Sequence, residues 1–248
     1  MAKTILITGG SRGIGRATAI LAGQRGWSVG VNYAGNAAAA EQVVKAVQTA
    51  GGKAIAIKGD VSLEADVIAV FDAVEKVFGK LDGFVNNAGV LDRKQPFLDY
   101  SLERMKRIFD INVLGAYLCA REAARRMAKS RGGKGGSIVN VSSVAARLGA
   151  PDEYVDYAGS KGAIDSMTLG LAKELGPEGI RVNAVRPGLI ETDIHASGGQ
   201  PDRAARLGAM TPLGRPGSAQ ETAEAIIWLL DDAASYVSGA LLDISGGR

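Results

Sequence analysis

A chain of 248 residues, 46% apolar and 22% charged, has room for one α/β domain with a large core and is too short for two well-formed catalytic domains. Its net charge of +3, from 29 basic against 26 acidic residues, comes with no long basic run and no aromatic interleaving, which argues against nucleic-acid binding. The single cysteine, Cys119, excludes an internal disulfide, and no apolar run approaches the ~20 residues of a membrane-spanning helix.

Short apolar runs alternate with longer helical patterns, which predicts βαβ units in a single α/β domain. The expected architecture is a doubly wound parallel sheet of about seven strands with helices on both faces. The first strand, residues 4–8, starts near the N-terminus with no signal-peptide pattern ahead of it. Together with the lone cysteine, this predicts a soluble, cytoplasmic protein. Further strands are expected at 28–32, 53–58, 83–86, 137–142, 181–186 and 241–244. Helices are expected at 15–25, 37–50, 64–78, 102–130, 154–175 and 219–230; Val43, Val44 and Val47 in the second, and Ile164, Thr168 and Leu171 in the fifth, have helical spacing. No repeat or Pro/Ser-rich linker divides the chain, and the glycine-rich stretch 132–136 reads as a surface loop. Segment 188–216 is long, rich in Gly and Pro, and follows a strand's carboxyl end, the place for a substrate lid.

Between the first strand and the first helix lies Thr8-Gly9-Gly-Ser11-Arg12-Gly13-Ile14-Gly15. A strand, a glycine loop and a helix are the context of a dinucleotide fingerprint. Gly9 permits the turn, Gly13 lets backbone approach a pyrophosphate, and Gly15 lets the helix pack closely, while the helix N-terminus offers free amides. The second strand ends in Val31-Asn32-Tyr33, without the acid that would bond a ribose and repel a 2′-phosphate. With Arg12 as a cation for that phosphate, NADP is expected to be preferred, with NAD also usable.

Tyr157 and Lys161 stand four apart on a predicted helix and so share one face. A tyrosine ordinarily titrates near ~10. A neighbouring ammonium and the positive charge of oxidised nicotinamide both favour phenolate, so the pair is expected to lower that value and trade a proton with an alcohol or carbonyl. Ser143, at the end of the fifth strand, is placed to hold the reacting oxygen. Asn112 lies inside a long apolar helix, where an amide needs partners. Arg147, Glu153, Tyr154 and His195 are candidates for contacting a polar substrate such as a sugar or polyol, or else are ordinary polar residues. One histidine and one cysteine, far apart, make no metal site.

Over essentially its whole length the chain resembles the short-chain dehydrogenase/reductase family, in its single-domain branch. The resemblance rests on the glycine loop, on Asn86-Asn87-Ala88-Gly89 after the fourth strand, on Asn112, Ser143, Tyr157 and Lys161 as a catalytic tetrad, and on Pro187-Gly188 with Ile190 and Thr192 beside the nicotinamide. It implies that Lys161 binds the nicotinamide ribose, that Asn112 holds a water linking the lysine to solvent, and that Asp60-Val61 contacts the adenine, although Asp60 also suits a helix-capping turn. It also implies a homotetramer acting on a small-molecule alcohol or carbonyl. Within the family the pattern is most similar to sugar dehydrogenases and β-ketoacyl-carrier-protein reductases. A non-catalytic NAD(P)-binding sensor is the alternative of a different class.

Overall fold

The computed structural model describes residues 2–248. The strands in chain order are β1 (Thr4–Ile7), β2 (Ser28–Tyr33), β3 (Lys53–Lys58), β4 (Gly83–Asn86), β5 (Gly136–Val141), β6 (Ile180–Pro187), the two-residue β7 (Ile190–Glu191) and β8 (Gly217–Ser218), and β9 (Leu241–Ile244). Seven of them form one parallel sheet in the order β3-β2-β1-β4-β5-β6-β9, while β7 and β8 pair apart from it. The helices are α1 (Gly13–Gln24), α2 (Ala37–Thr49), α3 (Glu64–Phe78), α4 (Leu102–Phe109), α5 (Ala116–Met127), α6 (Ala145–Leu148), α7 (Val155–Glu174), α8 (Ile194–Ser197), α9 (Arg203–Gly208) and α10 (Ala219–Leu230).

Because helices cover both faces, the central strands read as continuous apolar runs, and β1 and β4 are buried throughout. Successive side chains of β1 then serve opposite cores. Ile5 and Ile7 join Val29, Val31, Val43, Val47, Ile226 and Ile227 under α1, α2 and α10. Leu6 faces the other layer with Phe71, Phe84, Cys119, Met127 and Val182. There Phe71 and Phe84 pack with ring centres 5.3 Å apart. Burial of each such side chain contributes about 1.5–3 kcal/mol.

Two departures from the sequence expectation matter for the site. The helix expected at 102–130 is interrupted: α4 ends at Phe109, a π-helical turn spans Asp110–Gly115, and α5 ends at Met127. The widened turn carries Asn112 inward, where its Oδ1 accepts from Val90 N (2.8 Å) and its Nδ2 donates to Val90 O (3.0 Å). Such turns recur at functional sites. Segment 188–216, in turn, is built from β7, α8 and α9 rather than being irregular throughout. Among the described residues no helix is long and apolar enough to cross a membrane.

Candidate active site

Strand order reverses between β1 and β4, so the chains leaving their carboxyl ends diverge and open a crevice. The cleft there has a volume of about 1500 Å³. Its rim is tied at the switch point. The Thr8 hydroxyl accepts from Asn87 N (3.0 Å) and Ala88 N (3.1 Å), and Asn87 Nδ2 donates to Thr8 O (2.8 Å) and Gly9 O (3.0 Å).

The glycine loop fits a dinucleotide pyrophosphate. Gly9 and Gly13 hold φ of +60° and +52°, in the left-handed region. A Cβ on Gly15 would lie 2.6 Å from both Gly9 O and Asn87 Nδ2, so only glycine lets α1 begin this close to the loop. The first amides of α1 therefore face the cleft, with Ser11, Ile14, Ala88 and Gly89 in its wall. Arg12, the N-cap of α1, makes no side-chain capping bond. Arg16, one turn further on and not anticipated from the sequence, is a second exposed cation lining the cleft.

Two residues expected to meet the cofactor line the cleft and also make bonds within the protein. Asn32 is buried, donates to Gly59 O (3.0 Å) and Ile57 O (3.3 Å), and accepts from Gly9 N (3.4 Å). Its amide thus ties the end of β2 to the glycine loop and to the end of β3, because strand ends leave backbone groups that need partners. Asp60 accepts from Ser62 N (2.9 Å) and Ser62 Oγ (2.7 Å), closing the turn before α3, the capping role the sequence also allowed. Asp60 and Val61 line the cleft, and from Tyr33, the last residue of β2, the wall passes to Ala34, Gly35 and Asn36 with no acid among them.

The expected tetrad converges on the opposite end of the same cleft. Lys161 Nζ lies 5.6 Å from the centre of the Tyr157 ring and donates to Val141 O (2.7 Å). Ser143, just past β5, accepts from Ala145 N (3.1 Å) and donates to Pro187 O (3.4 Å). Gly89 brings the fourth member in: a Cβ there would stand 3.4 Å from Asn112 Oδ1 and 3.5 Å from Lys161 Nζ. Asn112 finds its partners in Val90 and in Ser160 Oγ (3.2 Å). Pro187, Gly188, Ile190 and Thr192 leave β6 along the same wall.

The electrostatics differ from the sequence expectation. Burial raises the Tyr157 phenol above its ordinary value, while a hydrogen bond from Ser143 and the charge of Arg203 act in the other direction. Burial also pushes the Lys161 ammonium down to about 8, against the pull of Asp165. Without a bound cofactor the phenol is therefore protonated at neutral pH. The lysine is turned onto the Val141 carbonyl, and desolvation outweighs whatever its charge contributes to the phenol.

The remaining candidates part company. Arg147 does not line the cleft: α6 is a single turn that directs it to Asp243 Oδ2 (3.0 Å) and Arg248 O (2.9 Å) at the C-terminus. Tyr154 is buried in the cleft wall, where its hydroxyl donates to Gly198 O (3.2 Å) and accepts from Gln200 Nε2 (2.8 Å), fastening segment 188–216 to α7. Glu153 pairs with Arg203 (2.5 Å) and Lys94 (3.5 Å). Burial opposes its ionisation, but those cations hold it below the ordinary carboxylate range. His195 is 7% exposed and its Nε2 is 2.9 Å from Ile190 O. Arg203 was missed by the sequence reading; only its place in the candidate lid pointed to it. It lines the cleft with Tyr157 and His195, and its guanidinium lies 5.6 Å from the Tyr154 ring centre.

A seven-stranded doubly wound sheet with a glycine-lined switch point and a Tyr–Lys helix beside it defines a nicotinamide-type oxidoreductase fold. A family model described as enoyl-(acyl carrier protein) reductase matches residues 9–248. An uncharacterized oxidoreductase of Escherichia coli K12, YgfF, is 53% identical over 98% of this chain and 98% of its own. An L-rhamnose 1-dehydrogenase (NAD(P)(+)) of Sphingomonas sp. SKA58 is 42% identical over 99% of this chain and 95% of its own. Among solved structures, 3-ketoacyl-(acyl-carrier-protein) reductase from Brucella melitensis, complexed with NADH, aligns with a TM-score of 0.90 at 33% identity, covering 99% of this chain and 98% of that one. The chain belongs to the short-chain dehydrogenase/reductase family and is an oxidoreductase acting on CH–OH groups.

Proposed function

We propose that the protein transfers a hydride reversibly between NADP(H) and a secondary alcohol or its ketone, with Tyr157 as general acid and base. The observation that carries this reading is the meeting of Tyr157, Ser143 and Lys161 in one cleft whose other end is shaped for a dinucleotide. The nicotinamide, when bound, supplies the hydride acceptor or donor.

The chain's own groups do the rest. In oxidation Tyr157 takes the hydroxyl proton, and in reduction it returns one to the carbonyl oxygen. Ser143 holds that oxygen beside the phenol. Lys161 binds the nicotinamide ribose and, once its ammonium leaves Val141 O for the cleft, favours phenolate. Asn112, fixed by Val90 and Ser160, steadies the wall behind the lysine. Gly9, Ser11, Gly13, Ile14 and Gly15 cradle the pyrophosphate, Asn87, Ala88 and Gly89 form the floor, and Pro187, Gly188, Ile190 and Thr192 flank the nicotinamide. Arg12 and Arg16, opposite an acid-free stretch after β2, support NADP over NAD. Segment 188–216 closes over substrate as a lid.

The competing substrate is an acyl-carrier-bound ketone, which the likeness to the 3-ketoacyl-(acyl-carrier-protein) reductase of Brucella melitensis supports. Initial rates on secondary alcohols, aldoses and a carrier-bound ketoacyl substrate, each with NADP and NAD, separate these readings. The expectation is turnover of free alcohols, a higher kcat/KM with NADP, and loss of at least about 100-fold in kcat for Tyr157→Phe. Undiminished turnover by that variant refutes the mechanism, and an NAD preference refutes the cofactor assignment.

A further inference from the structure

Four side chains were candidates to meet a polar substrate, and the structure commits each of them to the protein. Arg147 is drawn out of the cleft to Asp243 Oδ2 (3.0 Å). The Tyr154 hydroxyl is held between Gly198 O (3.2 Å) and Gln200 Nε2 (2.8 Å). The charge of Glu153 is answered by Arg203 (2.5 Å) and Lys94 (3.5 Å). His195 Nε2 is 2.9 Å from Ile190 O, and its Nδ1, like Arg203 Nε, has no accessible surface. A sugar hydroxyl would have to displace one of these bonds, and the group left unpaired would offset what the new contact gains.

What stays open there is apolar. Val90, Leu148, Ala150, Pro151, Ile194 and Leu207 line the cleft with Tyr157 and Ser143, and each keeps part of its surface accessible. They reach it from separate elements. Val90 is bonded through both backbone groups to Asn112 (2.8 and 3.0 Å). Leu148 ends the single turn of α6 that begins just after Ser143, while Ile194 and Leu207 belong to α8 and α9. Ala150 O accepts from Tyr154 N (3.0 Å), one turn of chain ahead of Tyr157. To do so Ala150 holds φ of +45°, and Asp152 +60°, conformations costly for residues with a Cβ. Leu148 is 43% exposed, apolar surface whose covering by a substrate is favourable. We propose that this end of the cleft takes an alicyclic or alkyl ketone, or its alcohol, whose body is apolar and whose reacting oxygen is its one polar contact, rather than a sugar or polyol. The proposal rests on the reading of Tyr157 above and names the substrate class of that site.

The test is a series of ketones reduced with NADPH: cyclohexanone and its 4-methyl, 4-ethyl and 4-propyl derivatives, set against D-fructose, with D-glucose in the oxidative direction. The expected result is that kcat/KM rises about threefold with each added carbon. Both sugars are expected to stay at least about 100-fold below the propyl ketone, because their hydroxyls lose water without gaining partners. Affinity is read separately, by calorimetry of the matching 4-alkylcyclohexanols on Tyr157→Phe saturated with oxidised NADP, and the same climb is expected there. Leu148→Asn and Leu207→Asn each put an amide on the wall and flatten both series. A flat affinity series, better turnover of the sugars, or an undiminished slope in both leucine variants overturns the assignment and leaves hydride transfer by Tyr157 standing. A climbing affinity with no turnover by the wild type supports the apolar wall while refuting the hydride-transfer reading.

Discussion

Lys161 is 5% exposed, and its ammonium is held there at the expense of the fold. Its pKa falls to about 8, against about 10.4 in an unfolded chain. Between those values the unfolded chain binds more protons at this side chain than the native one does, so stability rises with pH across that window. Below it both states are charged and the full penalty applies. Lys161→Met, which keeps the volume and drops the charge, is therefore expected to stabilise the protein at pH 7 by about 1–3 kcal/mol and to abolish that rise. Urea midpoints at pH 7 and pH 10 check it, with kcat lost in the same variant. A lower midpoint at pH 7 would show that the bond to Val141 O outweighs the desolvation.

Among the elements, α7 carries the most chemistry and is anchored at its first turn. Asp156 Oδ1 accepts from Tyr157 N (2.9 Å) while the carboxylate takes two bonds from buried Arg104, at 2.7 and 3.2 Å. Arg104 also donates to Arg93 O (2.6 Å) and lies over the Tyr100 ring at 3.9 Å. Arg104→Ala leaves a buried carboxylate unpaired beside Tyr157, so a loss of about 3–5 kcal/mol is expected in urea unfolding. A loss under about 1 kcal/mol would mean that water reaches Asp156. The strands and α7 were legible because runs such as Thr4–Ile7 and the Tyr157–Lys161 spacing are local patterns. The π-helical turn was not, since the bond between Asn112 and Val90 crosses 22 residues of sequence and leaves the apolar pattern around it intact. Arg203 reaches Glu153 across 50 residues, and Arg147 is drawn from the cleft by Asp243. Neither partnership has a local signature.

At the scale of the whole molecule, the outer surface of α4, the π-helical turn, α5 and α7 leaves Leu102, Phe109, Leu114, Tyr117 and Leu169 exposed. Large apolar side chains grouped on neighbouring elements favour an interface. We infer that this surface joins copies of the chain in a homotetramer. Light scattering on the eluting protein is expected to give four times the chain mass, and Leu114→Glu with Tyr117→Glu to give smaller species. A monomeric wild type would rule this out. The same helices enclose Cys119, which is 1% exposed, with its thiol pushed up to about 12 by burial and by Glu122. Only the thiolate is nucleophilic. An alkylating reagent therefore finds neither access nor a reactive sulfur until α5 lifts from the sheet, and the pace of its single covalent mark is a native clock for the opening of this layer.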